Sequence, residues 1–255
     1  MLFNSKKLKG FTVQGTDNAV GVVQDILFDE RFWAIRYLVV DTNKWLPASR
    51  KVVLSPISLG EPDHDSNTIP VSLSSEKIKS SPPLTKHQPV SRWYEAELFR
   101  YYGYGAYWTG PDMWGLYPHP ALLHDLPFDR EPKQTDPAHD CVLRSVNEVS
   151  NYQLKSHDNN SYDNTEGQIR HFMIDCKNWS IPGFLINTRR WLPGGKDILI
   201  SHRNVRSIRW HDHSVHVDLS TQQIQTGPEL GSKASLLTDN PDAASWHTVK
   251  RVGNQ

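Results

Sequence analysis

The stretch Asp17–Leu84 recurs as Asp163–Leu230, 146 positions further on, without a gap. Seventeen of its 68 aligned positions are identical, against about four expected from composition alone, so chance does not account for the match. The identities include Gly21/Gly167, Asp29/Asp175, Trp33/Trp179, Trp45/Trp191, Pro47/Pro193 and Pro82/Pro228. Other pairs exchange one apolar residue for another, as in Val23/Ile169, Ile26/Phe172, Leu38/Phe184 and Val52/Ile198. A repeat of this length implies two similar modules.

Within each copy the pattern is that of β-strands. Gly21–Phe28 and Trp33–Asp41 are rich in β-branched and aromatic residues and flank the polar turn Asp29-Glu30-Arg31, a hairpin signal. The second copy repeats it as Gly167–Ile174, Asp175–Asn178 and Trp179–Asn187. Consecutive apolar residues in the second strand mean that both of its faces are covered, as in a small closed or half-open barrel. Third strands are expected at Val52–Leu54 and Ile198–Ile200, and fourth strands at Ile69–Leu73 and Val215–Leu219. Pro70 cannot donate a ladder hydrogen bond, which makes its strand an edge. Short helices follow at Ser74–Ile78 and Ser220–Ile224, each opened by residues that cap helices, and Pro82 and Pro228 stop them.

Between the copies, Ser91–Tyr102 reads as an amphipathic helix with Ser91 as N-cap and Gly103 as terminator. Tyr104, Tyr107, Trp108, Trp114 and Tyr117 follow, spaced by Gly and Pro. Glu131–Asp140 is polar and marks a boundary. Ser145-Val146-Asn147-Glu148 has capping-box spacing ahead of a short helix. Lys155–Tyr162 extends the approach to the second copy, and the tail beyond Gly231 is polar and aperiodic. The expected domains are residues 1–85, a linker 86–141, residues 142–230 and a flexible tail 231–255.

Lys plus Arg equals Asp plus Glu, 28 each, which gives no support to wholesale polyanion binding. Two cysteines, Cys141 and Cys176, supply neither a disulfide framework nor a zinc ligand set and suit a reducing compartment. Met1–Leu8 has no apolar core of signal-peptide length, and apolar runs such as Leu38–Val40 fall far short of a membrane span. A cytoplasmic protein is expected.

Few residues suggest chemistry. His211, His213 and His216 form the densest ligand-type cluster, and on an extended strand His211 and His213 would share a face. Two imidazoles do not complete a metal set, however, and a polar turn explains them equally well. His119, His124 and His139 are scattered. Cys176 beside Lys177 is a lone turn cysteine. Asp29, Asp175, Asp17-Asn18 and Asp163-Asn164 suit turns, where Asp accepts backbone N–H groups. The paired tryptophans suit packing. No phosphate loop, nucleophile elbow or HExxH is present, and no catalytic residue or cofactor is assigned. Arg189-Arg190, Arg203, Arg206 and Arg209 give the second copy a basic bias. Trp93, Tyr104, Tyr107, Trp108, Trp114 and Tyr117 are the candidate interaction residues, read first as a clasp over the barrels and second as a recognition surface.

Gly21-x-Val-x-Asp-x-Leu-Phe-Asp29, Trp33–Asp41, Trp45-Leu46-Pro47 and Lys51–Pro56 together resemble the PRC-barrel family, the small barrel of the cytoplasmic H subunit of photosynthetic reaction centres. Pro89–Arg92 followed by Tyr102-Gly103 and Tyr107-Trp108 is similar to the middle segment of tandem members. The second copy fits at Leu143–Ser145, Gly167, Asp175, Trp191–Pro193 and Ile198–Ser201, and departs at Pro182-Gly183, where the first has Arg36-Tyr37. The resemblance implies a mainly β protein: two PRC-type barrels in tandem, related by duplication, with short helices and an aromatic-rich linker. It implies docking or complex assembly without catalysis, through a protein partner or a second copy, including peripheral association with a membrane complex. A small-ligand or metal-binding barrel and an RNA- or ribosome-associated assembly factor are the alternatives, although nucleic acid is not the expected partner.

Overall fold

A computed structural model describes residues 1–42, 51–84, 90–126, 128, 143–158, 167–188 and 195–227. The first part of the chain runs through β1 (Leu2–Asn4), α1 (Ser5–Leu8), β2 (Thr12–Gln14), β3 (Ala19–Asp29), β4 (Ala34–Asp41), β5 (Lys51–Leu54), β6 (Thr68–Pro70) and α2 (Ser75–Lys79). The linker helix α3 spans Arg92–Tyr102. Then come β7 (Leu143–Ser145), α4 (Val146–Val149), β8 (Gln153–Lys155), β9 (Gly167–Asp175), β10 (Ser180–Asn187), β11 (Asp197–Ser201), β12 (Val205–Arg209), β13 (Ser214–Val217) and α5 (Thr221–Gln225). The protein is mainly β.

The chain divides into two compact units that cross the domain boundaries expected from the sequence. One comprises Lys7–Val146 with Cys176–Ser180; the other comprises Met1–Lys6, Asn147–Asp175 and Ile181–Gln255. We call them the N-unit and the C-unit.

In the N-unit the strand order is β6-β2-β3-β4-β5, with β7 on the same edge of β3 as β2, further along the strand. The long strand β3 organises it. Thr12 and Val13 of β2 pair with Val22 and Gly21, β4 pairs along Val22–Asp29, and β7 pairs at Leu27–Asp29. Two register shifts between β3 and β4 bend the sheet, since an extra residue on one strand increases local twist. Gly21 sits where β3 passes closest to β4: a Cβ there would stand 2.3 Å from the Asp41 carbonyl oxygen. Every residue of β4 from Ala34 to Val40 is buried, as its unbroken apolar run predicts, and β6 is an edge, as Pro70 predicts.

In the C-unit the order is β12-β13-β8-β9-β10-β11, with β1 on β9. Phe172, Ile174, Phe184, Ile186, Ile198, Val215 and Ile224 are among its fully buried side chains. Leu2 packs with Met173, Leu185 and Leu199, and the Ser5 hydroxyl accepts from the Phe172 amide at 3.0 Å.

Several expectations need correction. Sequence reading found no strand at the N-terminus or at Thr12–Gln14, Leu143–Ser145 and Gln153–Lys155; each is three residues long, too short for alternation to register. Trp33 and Trp179 lie in the hairpin turns, not in strands, and both have positive φ, 52° and 56°. The fourth strands end at Pro70 and Val217, earlier than expected. The short helix expected after Ser145 is α4; Ser145 Oγ also donates to Asp25 Oδ2 at 2.6 Å and Glu148 Oε1 accepts from Tyr152 Oη at 2.6 Å. Asp17 and Asp158 each hold the start of a short helix. Asp17 accepts from the Ser75 amide at 2.8 Å at the start of α2, and Asp158 from the Thr221 amide at 3.0 Å at the start of α5. Trp45, Trp191, Pro228, Asp163, Asn164, Cys141, His139, Arg189, Arg190 and the tail 231–255 lie outside the described residues.

Candidate functional site

The N-unit contains a buried polar network built by α3, β4 and the loop after α3. Helix α3 begins at Ser91, whose hydroxyl accepts from the Tyr94 amide, and ends at Gly103, whose φ of 79° is left-handed. Its buried face carries Glu95, Leu98, Phe99 and Tyr102, the i, i+3, i+4, i+7 stripe of a helix packed on a core. A carboxylate in that stripe is the anomaly. Glu95 is 0% exposed, and a buried charge must be paired and hydrogen-bonded to be tolerated.

Its Oε1 is hydrogen-bonded and its Oε2 is ion-paired. Tyr37 Oη donates to Glu95 Oε1 at 2.8 Å and Tyr107 Oη to the same oxygen at 2.7 Å. Arg92 Nη1 forms an ion pair with Oε2 at 2.7 Å and donates to Tyr107 Oη at 2.9 Å. Arg36, itself buried, lies over the Tyr107 ring at 3.8 Å and the Trp114 ring at 4.8 Å. Arg36 Nη2 donates to Asp29 Oδ2 at 2.9 Å and Nη1 to the Met113 carbonyl at 2.6 Å. Two guanidinium groups thus face two carboxylates, a balanced set. Burial raises the Glu95 pKa, with Arg92, Tyr107 and Tyr37 opposing that rise. Burial also pushes Tyr37 well above the usual phenol value, with the Glu95 charge adding to it.

This network fastens the linker to the barrel wall. Trp114 Nε1 donates to the Asn178 carbonyl at 3.1 Å and His119 Nε2 meets the Lys177 carbonyl, both in the hairpin turn assigned to the N-unit. Tyr104 packs edge-on to Phe99 and stacks on Tyr102. Of the six candidate interaction residues, Tyr104, Tyr107 and Trp114 are therefore interior groups, and Trp108 and Tyr117 are half-buried. Trp108 lies under Arg92, 4.6 Å from ring to guanidinium. Trp93 is 53% exposed. Sequence reasoning missed Glu95, Tyr37, Arg36 and Arg92. The signal it passed over was a glutamate among the apolar positions of α3.

Asp29 accepts from the Arg31 amide at 2.9 Å, the turn role expected of it, and also holds Arg36. Asp175 has Pro182 in place of that arginine, and its carboxylate lies 3.7 Å from the N-terminal ammonium.

The histidine cluster does not converge. His211 and His213 lie in the Trp210–His213 turn, not on an extended strand, so the face-sharing expected of them is lost. His213 has φ of 47°, the left-handed position that Asn67 fills at 53° in the first copy, and its ring packs edge-on to Tyr152 at 5.1 Å. His216, on β13, shares a hydrogen bond with Ser214 Oγ at 3.0 Å, and burial, then Arg209, lowers its pKa. No group of three or more His, Cys, Asp or Glu side chains able to hold a metal occurs among the described residues. Cys176 is buried in its turn. Among the described residues no helix is long and apolar enough to cross a membrane.

No curated protein matches the chain. The PRC-barrel domain family matches residues 1–76, the span from β1 into α2, and this segment of the chain is a PRC-barrel domain.

Proposed function

We propose that the chain is a tandem PRC-type module that acts by docking and complex assembly, without catalysis. The observation that carries this reading is the use made of its reactive side chains. Arg36, Arg92, Asp29, Glu95, Tyr37 and Tyr107 neutralise and hydrogen-bond one another, whereas large apolar side chains stand in solvent: Leu116 at 71%, Trp210 at 59% and Leu122 at 51% exposure. Exposed tryptophan on a rigid scaffold is the material of interface hot spots, and a pre-paired buried network supplies rigidity.

Support for a second barrel is the recurrence of detail. Leu143, Arg144 and Ser145 stand opposite Asp29, Phe28 and Leu27, as Leu2, Phe3 and Asn4 stand opposite Asp175, Ile174 and Met173. Strand β6 runs parallel to β2, as β13 does to β8. Left-handed residues recur in matched places: Gly10 and Asn151, Trp33 and Trp179, Asn67 and His213. Each first strand completes the long strand of the other copy.

In-cell photo-crosslinking tests the docking role, with a photoreactive residue placed in turn at exposed positions 93, 116, 122 and 210 and at buried position 99 as control. Discrete protein adducts at an exposed position and none at 99 are expected. Absence of adducts at all four exposed positions would remove the reading.

A further inference from the structure

Strand β12 is the feature of the C-unit with no equal in the N-unit. The matching stretch there, Leu59–Asp63, contains Pro62 and makes only isolated bridges to Val71 and Thr68. Val205–Arg209 is a five-residue strand whose only strand partner among the described residues is β13, so that its other edge is unpaired among those residues. None of its residues is buried. Open edges invite a further strand unless something prevents it.

Its side chains select what can be added. Arg206 and Arg209 are three apart and in a regular strand would point to opposite faces. The register shift between Val205 and Ser207 absorbs one residue, with Ser207 opposite His216 and Arg209 opposite Ser214. A bulge of this kind re-aims a side chain, and Arg209 and Arg206 both act electrostatically on His216. Lys155 stands beside His216 on β8. Of the nearby carboxylates, Asp212 accepts from Ser214 Oγ at 2.7 Å and pairs loosely with Lys155 at 3.9 Å; exposed Asp218 lies past the end of β13, its amide on the Asn204 carbonyl. The two arginines are exposed, and Trp210 follows directly. Antiparallel self-pairing in the register that opposes Arg206 to Arg209 would set like charges face to face, which disfavours a second copy in that register. A nucleic-acid strand has no N–H and C=O ladder with which to continue the sheet.

We propose that β12 is the docking strand for an extended acidic peptide segment of a protein partner, which adds to the sheet edge with its carboxylates on Arg206 and Arg209 and an apolar side chain on Trp210. This rests on the docking reading above and names the chemistry of the partner.

Fluorescence anisotropy on the full chain tests it, with a labelled peptide of alternating Glu and Val as probe. The expected result is saturable binding, weakened about tenfold or more by the double variant Arg206→Glu/Arg209→Glu, no binding of the Lys/Val counterpart, and loss of binding on N-methylating one alternate set of peptide amides but not the other. Both substitutions are at exposed positions, and an unchanged thermal melt checks the fold. Equal binding of both N-methylated peptides would reduce the contact to charge and overturn the proposal, as would tighter binding of a single-stranded oligouridylate. In-cell adducts at 93, 116 or 122 but none at 210 would leave the docking role intact and remove β12 from it.

Discussion

Tyr37 and Glu95 are 58 residues apart in sequence and 2.8 Å apart in space, joined by a phenol-to-carboxylate hydrogen bond in which both groups are buried. That bond ties β4 to the linker helix, and its loss should be unequal on its two sides. Glu95→Ala leaves Arg92 and both phenols facing a cavity and is expected to cost about 3–5 kcal/mol. Tyr37→Phe removes one donor from a carboxylate that keeps Tyr107 and Arg92, for a loss of about 1–2 kcal/mol. Urea unfolding of the two single variants and the double variant measures both, and the double should lose less than the sum.

The same carboxylate sets a pH dependence. Burial raises the Glu95 pKa, so between the unfolded and folded values the native state binds more protons than the unfolded chain. Its contribution to stability is therefore full below the unfolded value and is lost as pH rises through the folded one. In Glu95→Gln that falling component should vanish. Stability measured at intervals from pH 4.5 to 7 checks it: the difference, wild type minus variant, is expected to fall with rising pH, and a flat difference would contradict the assignment.

The N-terminal segment predicts a long-range effect. Phe3 is fully buried and pairs with Ile174, so Phe3→Ala should cost about 3–5 kcal/mol. Its trace should lie in β9 and not in the N-unit that follows it in sequence. Hydrogen exchange of the Gly167–Asp175 amides is expected to accelerate, with β4 amides unaffected.

What was legible in the sequence follows from the length of the signals. The hairpins β3–β4 and β9–β10 carry eight or more residues per strand, enough for β-branched runs and polar turns to announce them, and the caps Ser74, Ser91 and Ser220 all hold their helices. The assignment of β1 and β7 to long strands far along the chain was invisible, because a three-residue strand has no period and its partner is fixed by tertiary packing. Asp158, at the start of α5 as Asp17 is at the start of α2, lies outside the stretch that the ungapped alignment covers. At the candidate site, the tyrosines were picked out as a clasp first and a recognition surface second, because aromaticity alone does not distinguish a ring over Arg36 from a ring in water. Only the glutamate on the apolar stripe of α3 carried that information.

Gly21 tests the closeness of the hairpin. Its absent Cβ would stand 2.3 Å from the Asp41 carbonyl oxygen and 2.7 Å from a Val40 methyl, so Gly21→Ala must push β3 from β4. A loss of about 1–3 kcal/mol is expected. Gly10, where a Cβ would meet nothing within 4 Å but φ is 101°, should respond to Ala through backbone strain alone; thermal melts of both variants compare the two causes.

Asp17 supplies the last test, and it separates electrostatics from packing. Its carboxylate takes both the Ser75 amide at 2.8 Å and the Ser75 hydroxyl at 2.6 Å, and these bonds, the hydroxyl first, lower its pKa to about 2. The folded value lies below the unfolded one, near 3.9. The stabilisation is therefore present above the unfolded value and is lost as pH falls toward 2. Asp17→Asn keeps one acceptor oxygen but no charge, so it should be less stable than wild type at neutral pH and indistinguishable from it at the acid end. Asp158, whose pKa burial raises but hydrogen bonds from Ser156 and then Thr221 bring below the usual carboxylate value, should behave in the same way at α5. Acid titrations followed by circular dichroism on Asp17→Asn, Asp158→Asn and the double variant are expected to show additive losses at pH 7 that close up together below pH 3, whereas losses persisting unchanged at low pH would assign both residues to packing.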